Sequence, residues 1–187
     1  IVVYVDDDQT EEYAALISSL GDGVRMLVGP RIGQCASLNH LAKKCPGYEA
    51  YGSATDDCTF ETEGWDKWVM NAKAGFRGGV GLISPWVHQN VKPEDGVERP
   101  RMDFPWCTAE WLDAAGTFTM VNTRHQYWDV ALQLVGEQTA IRFAKREEWA
   151  IWHEALAVEE RDDTSMQDVG KLMYQIYHIH NDARIVV

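Results

Sequence analysis

"IVVYVDDDQTEEYAALISSLGDGVRMLVGP", residues 1–30, decides the fold. Its first five residues form a β-branched run that stops abruptly at three aspartates. Such a run reads as a strand buried in a parallel sheet. In "EEYAALISSL" (11–20), Tyr13, Leu16, Ile17 and Leu20 share one helical face. "GDG" (21–23) then ends the helix, glycine supplying the stop. "VRMLVG" (24–29) reads as a second strand.

The alternation continues outward. "QCASLNHLAKKC" (34–45) has helical spacing, with Cys35, Leu38, Leu41 and Ala42 on one side. "PG" (46–47) breaks it, and "YEAYGSA" (48–54) is a third strand. Strands alternating with helices at short intervals predict an α/β fold, a mostly parallel Rossmann-like sheet flanked by helices. Right-handed crossovers bring the C-terminal ends of the strands to one edge, where open α/β sheets bind ligands. Asp6, Asp7 and Asp8 follow the first strand, Arg31 the second, and Asp56 and Asp57 the third. Three consecutive loops therefore aim carboxylates and a guanidinium at one rim.

Further along, "TEGWDKWVMNAKAG" (62–75) predicts a helix with Thr62 as N-cap. "GGVGLISPW" (78–86) is strand-like, and residues 87–106 are polar with Pro and Gly, a long loop or lid-like insert. "CTAEWLDAAG" (107–116) predicts a short helix closed by Gly116, and "TFTMVN" (117–122) an extended piece. "QYWDVALQLVGEQ" (126–138) is helical with Trp128, Ala131, Leu132 and Val135 inward. Residues 140–153 read as two strands or one bent strand, and 163–180 as a C-terminal helix. One domain is expected over residues 1–187, in successive parts 1–86, 87–155 and 156–187.

Composition narrows the function classes. The 187 residues are 45% hydrophobic and 11% aromatic, so disorder is not the default reading and the length allows a real core. A net charge of −12 argues against broad adhesion to nucleic-acid phosphates, though local basic pockets stay open. No apolar run approaches the roughly 20 residues of a membrane span, and no secretory signal is visible. The chain opens on Ile1 inside a strand, so a preceding segment is expected. Cys35, Cys45, Cys58 and Cys107 form no CxxC pair and no zinc-site spacing; they read as reduced thiols of a cytoplasmic protein, many simply buried. The eight tryptophans are scattered and read as core, although Trp86 and Trp106 bracket the polar loop and could present stacking faces.

Two adjacent aspartates need a reason. Unit charges about 5 Å apart at an effective dielectric of about 20 repel by roughly 3 kcal/mol. A hard divalent cation between them removes that cost, and Mg²⁺ or Mn²⁺ commonly shares oxygen ligands with substrate phosphates. The alternative is a turn with solvated aspartates.

The ordered set "VVYVDDDQTEEY", "VRMLVGPRIGQCASLNHLAKKCPGYEAY" and "TDDCTFETEGWDKWV" resembles the nucleotide-sugar glycosyltransferases of the A-type fold. It is most similar to the large inverting family with a "DDGS"-like and a DxD-type motif, and within it to small members encoded by bacteriophages. The resemblance covers roughly residues 1–155 and rests on the order of individually weak motifs. It implies a metal-dependent, inverting transfer of a sugar from a nucleoside-diphosphate sugar to an acceptor hydroxyl. Residues 1–86 would be the nucleotide-sugar half, 87–155 the acceptor and catalytic half, and 156–187 a C-terminal helix and tail.

By that resemblance Asp6 and Asp7 would hold the nucleobase and ribose, Asp8 standing where Gly is usual. Arg31 would touch base or phosphate, and Asp56 the donor. Asp57 would bind Mn²⁺ or Mg²⁺, and His153 would complete the metal site; a satisfied core histidine is the alternative for His153. Ala54 and Thr55 occupy the place of the usual first Asp of the DxD motif, which leaves its ribose contact unassigned. Asp129 matches the family's general base; it could equally complement the helix dipole. His125, one turn earlier, either contacts donor or acceptor or caps the helix. Asn39 reads as a packing or capping amide. His178 and His180 read as structural or surface residues.

The phage likeness implies a hydroxylated base in DNA as acceptor and the host cytoplasm as location; a saccharide, a lipid-linked sugar or a protein also fits. The family's fold begins one strand–helix unit earlier, about 30–40 residues. A preceding segment or a partner copy in a homo-oligomer would fill that sheet position. Two other readings stand beside this one: a sugar-nucleotide nucleotidyltransferase, and a non-catalytic nucleotide-sugar-binding module.

Overall fold

The first strand–helix–strand unit forms as its sequence predicts. In the computed structural model, β1 (Val2–Asp6) and β2 (Arg25–Gly29) pair in parallel, with Val5 opposite Val28 and Asp6 opposite Gly29. A 3-10 turn (Asp7–Gln9) leads from β1 into α1 (Thr10–Ser19), where Thr10 Oγ1 donates to the Asp7 carbonyl. The description covers residues 1–19, 21–55, 58–89, 102–119 and 128–153. The expected C-terminal helix therefore lies outside the described residues.

Burial of α1 departs from expectation. None of its residues is buried, and Leu16, on the expected inner face, is 54% exposed. The next helix, α2 (Gln34–Lys44), does pack inward: Cys35 and Ala42 are buried and Leu38 lies against the same core. Gly33, at φ 82°, supplies the left-handed entry to α2.

The third strand overturns the parallel-sheet expectation. β3 (Ala50–Gly52) is hydrogen-bonded to neither β1 nor β2; it pairs antiparallel with β7 (Trp106–Thr108). Its glycine explains the fit. A Cβ on Gly52 would sit 1.8 Å from the Trp106 ring, so the indole lies flat across this backbone. Among the described strands three sheets result: β1–β2; β3–β7–β5–β8 with β5 (Leu82–Ser84) and β8 (Ile141–Phe143); and β4–β9–β6 with β4 (Cys58–Phe60), β9 (Ala150–His153) and β6 (Trp86–Gln89). The pairs β1–β2, β5–β8 and β6–β9 are parallel; β3–β7, β5–β7 and β4–β9 are antiparallel. The molecule is thus a mixed α/β body with small mixed sheets.

Proline and turn chemistry divide what sequence periodicity had joined. The expected strand over 78–86 is instead a 3-10 turn at Arg77–Gly79, then β5 and β6 separated by Pro85. Proline carries no N–H for a ladder, so the chain changes sheet there. Residues 140–153 split likewise: β8 follows β5, and β9 crosses to the third sheet after a turn in which Lys145 N donates to Glu148 Oε2 at 2.9 Å. The expected helix over 107–116 gives its first residues to β7 and begins α4 (Ala109–Ala115) at Thr108. Thr108 Oγ1 accepts from Trp111 N at 3.1 Å, an N-cap, and from Gly81 N at 3.2 Å. Gly116 closes α4 in the left-handed region, as predicted. α3 (Trp65–Ala74) starts from Gly64, not Thr62; the Thr62 hydroxyl accepts from Ala150 N at 2.9 Å and ties the loop to β9.

The central strand β5 places one side chain in each of two cores. Leu82 packs with Cys107, Trp111, Trp128, Ala131 and Leu132; Ile83 packs with Val69, Phe104, Trp149 and Ile151. Alternation of side chains along a strand produces this division. α5 (Trp128–Gln138) buries Trp128, Ala131, Leu132 and Val135, the face its spacing predicts. In the second core Trp149 stacks on Trp65 at 5.7 Å and meets Trp106 edge-on at 5.3 Å. Contacts of this kind add about 0.5–1.5 kcal/mol each beyond area burial. Trp106, half-buried, is therefore packed against this core by its ring contacts.

Candidate functional site

Parallel pairing of β1 and β2 brings their C-terminal ends to one edge, so Asp6 and the loop after Gly29 are neighbours. There Arg31 reaches across to both acids: its Nε lies 3.1 Å from Asp6 Oδ2, and its Nη2 lies 3.1 Å from Asp8 Oδ2. The convergence of Asp6 and Arg31 expected from the sequence is present. Asp8, read as a replacement for Gly, takes the other arm of the guanidinium. The residue that sequence reasoning missed here is Tyr4. Its hydroxyl donates to the Pro30 carbonyl at 2.8 Å, and its ring meets His40 edge-on at 5.9 Å. The phenol occupies the space over Gly29, where a Cβ would lie 2.3 Å from the hydroxyl. Desolvation, then the charges of Asp6 and Asp7, raise the Tyr4 pKa, which keeps the phenol protonated as a donor. Asp7 itself is exposed in the 3-10 turn and forms no ion pair among the described residues.

The second group forms at the end of the third sheet. Antiparallel pairing of β4 with β9 sets Cys58 directly opposite His153, and parallel pairing of β6 with β9 sets Gln89 on its other side. Cys58 is the residue that follows Asp57 in the chain. The His153 ring meets the buried Phe104 edge-on at 4.9 Å, and Cys58 packs against the same core. Thr55 Oγ1 lies 3.2 Å from Cys58 Sγ. β4 was not foreseen, because "CTF" is too short to declare itself as a strand.

Asp129 stands in the first turn of α5, directly after the buried Trp128. Asp56, Asp57 and His125 lie outside the described residues, as do His178 and His180. No disulfide joins any two of the four cysteines, and Cys35 and Cys107 are buried. Among the described residues no group of three or more His, Cys, Asp or Glu side chains is gathered to hold a metal ion, and no helix is long and apolar enough to cross a membrane. Strand register brings the Cys58 and His153 positions opposite one another, with the His153 ring against the second core.

Asn39 resolves as a packing amide. Its Oδ1 accepts from Phe118 N at 2.9 Å and Thr119 N at 2.8 Å, and its Nδ2 donates to the Thr119 carbonyl at 3.3 Å. Thr119 Oγ1 donates to the Cys35 carbonyl at 3.1 Å. Residues 117–119, the described part of the expected extended piece and not a strand, are thus tied to α2. Comparison with known proteins adds no assignment: no family model and no curated protein matches the chain.

Proposed function

We propose that this chain is a metal-dependent inverting glycosyltransferase acting on a nucleoside-diphosphate sugar. The observation that carries the proposal is the register of β4 against β9, which sets His153 across from the residue next to Asp57. Cys58 and His153, 95 positions apart in sequence, come together only through this strand pairing. The Asp6–Arg31–Asp8 cluster supports the same reading as a polar group at the C-terminal ends of the parallel pair β1–β2.

In this reading Asp57 and His153 hold Mn²⁺ or Mg²⁺, which when bound neutralises charge on the leaving diphosphate. Asp6 and Asp7 take the nucleoside, and Asp56 and His125 are assigned to the donor by the resemblance alone. Arg31 is already neutralised by two carboxylates, so its task is to fix Asp6 and Asp8; it is not a free cation for phosphate. Asp129 accepts the proton of the acceptor hydroxyl as that oxygen attacks the anomeric carbon and the bond to the diphosphate breaks. The acceptor is a hydroxyl compound; hydroxylated DNA is one candidate, which the net charge of −12 disfavours for tight binding.

The test is donor turnover with Mn²⁺ across a panel of nucleoside-diphosphate sugars. Asp129→Asn should lower kcat by about 10²–10⁴-fold with donor affinity retained. Asp57→Ala should abolish metal-dependent donor binding. Wild-type turnover in both variants would overturn the proposal.

A further inference from the structure

We infer that Tyr4 is a positioning residue: its phenol latches the peptide between Pro30 and Arg31, and so holds Arg31 against Asp6 and Asp8 in the geometry that receives the nucleoside. The inference deepens the function proposed above and rests on it for the ligand. The latch itself stands on geometry.

Side chains alternate between the faces of a strand, so Tyr4 and Asp6 project from the same side of β1. In the parallel register Tyr4 lies opposite Leu27 and Asp6 opposite Gly29. The Tyr4 ring runs toward the C-terminal edge across Gly29. A Cβ there would lie 3.0 Å from Tyr4 Cζ and closer still to the hydroxyl, so glycine leaves that path open. His40 of α2 meets the ring edge-on at 5.9 Å and steadies its course. At the far end the hydroxyl donates to the Pro30 carbonyl at 2.8 Å. That carbonyl and the Arg31 amide nitrogen belong to one planar peptide. Proline fixes its own φ, and a bond to its carbonyl restrains ψ, the torsion that remains. The Arg31 side chain is 66% exposed, and ion pairs at such exposure hold a side chain weakly. Its Nε and Nη2 nevertheless meet Asp6 Oδ2 and Asp8 Oδ2, each at 3.1 Å. The backbone restraint supplies what the pairs lack. Carboxylates fixed before the ligand arrives avoid the cost of ordering them on binding.

Tyr4→Phe keeps the ring and removes the donor. The Arg31 Nε–H signal in nitrogen-15 NMR of the full chain, identified by its loss in Arg31→Lys, reports the latch without any ligand. In wild type it should stand apart from the signals of unpaired arginines, and in Tyr4→Phe it should move toward them. Gly29→Ala should do the same, because its Cβ needs the space of the hydroxyl; Gly23→Ala, which opens onto free space, should not. A wild-type signal already among the unpaired ones, a signal unmoved in Tyr4→Phe or Gly29→Ala, or one moved as far in Gly23→Ala overturns the inference. Donor kinetics with Mn²⁺ across the nucleoside-diphosphate sugar panel give a second readout. Tyr4→Phe should raise donor KM about 3–10-fold and leave kcat unchanged. A merely structural defect reduces the active fraction, lowering kcat and sparing KM; that result, or an unchanged KM, overturns the positioning role. If wild type turns over no donor, the function proposed above fails, and the Arg31 signal still decides the latch.

Discussion

Asn39 shows how much one side chain can organise. One carboxamide satisfies two backbone N–H groups and one carbonyl of a segment 79–80 positions away. Phe118 and Thr119 are 2% and 1% exposed, so water cannot replace those bonds. Asn39→Ala leaves two buried donors unpaired, a loss of about 2–3 kcal/mol. Thermal unfolding should show a midpoint lowered by roughly 4–12 °C. Asn39→Asp keeps both accepting contacts and loses only the donated one, so its midpoint should lie between the two. An alanine variant as stable as wild type would remove Asn39 from the framework. By contrast, the exposed Arg31 pairs at the β1 edge are worth about 0–1 kcal/mol, and their value is orientation.

At the scale of elements, α3 and α4 are joined by charge. Lys73 on α3 is largely buried; its Nζ lies 2.9 Å from Glu110 Oε1 on α4 and also contacts Glu49 Oε2 just before β3. Hydrogen bonds from Glu49 and then Glu110 raise the Lys73 pKa. Burial pushes Glu110 up, but its hydrogen bond to Lys73, a backbone bond and the Lys73 charge outweigh that and leave it lowered. Stability from Glu110 is therefore complete above its unfolded value of about 4.3 and lost as pH falls through the lowered folded value. Stability from Lys73 is complete below about 10.4 and lost as pH rises through the raised folded value. Lys73→Met should cost about 1 kcal/mol at neutral pH, roughly 2–4 °C. Unfolding midpoints across pH should show the gap from wild type closing in acid and again in strong base. A gap independent of pH would assign the effect to packing.

For the whole molecule, β5 is the strand on which both cores depend. Leu82 and Ile83 are adjacent, fully buried and on opposite faces. Leu82→Ala and Ile83→Ala should each cost about 2–5 kcal/mol, although they open cavities in different cores. Because one strand carries both, urea unfolding of either variant should remain a single transition, with tryptophan fluorescence and far-ultraviolet circular dichroism coincident. Two separated transitions would show that the cores are independent units.

The amino-acid sequence by itself determined what is local. Apolar spacing marked α2 and α5 with their buried faces, and Gly116 marked the end of α4. The β-branched runs marked β1 and β2, and parallel pairing brought Asp6 and Arg31 together as their loops required. These features depend on neighbours within a few residues or one crossover. Tertiary structure alone decided which strands pair. A three-residue strand such as β3, β4 or β5 carries too few side chains to specify a partner, so the match comes from elsewhere: a glycine beneath the Trp106 ring, a proline that ends one ladder, a hydroxyl that ties a loop to β9. That pairing set His153 opposite Cys58 and turned the expected parallel sheet into three small ones, because backbone hydrogen bonds between distant strands are selected by packing and not by the pattern of either strand.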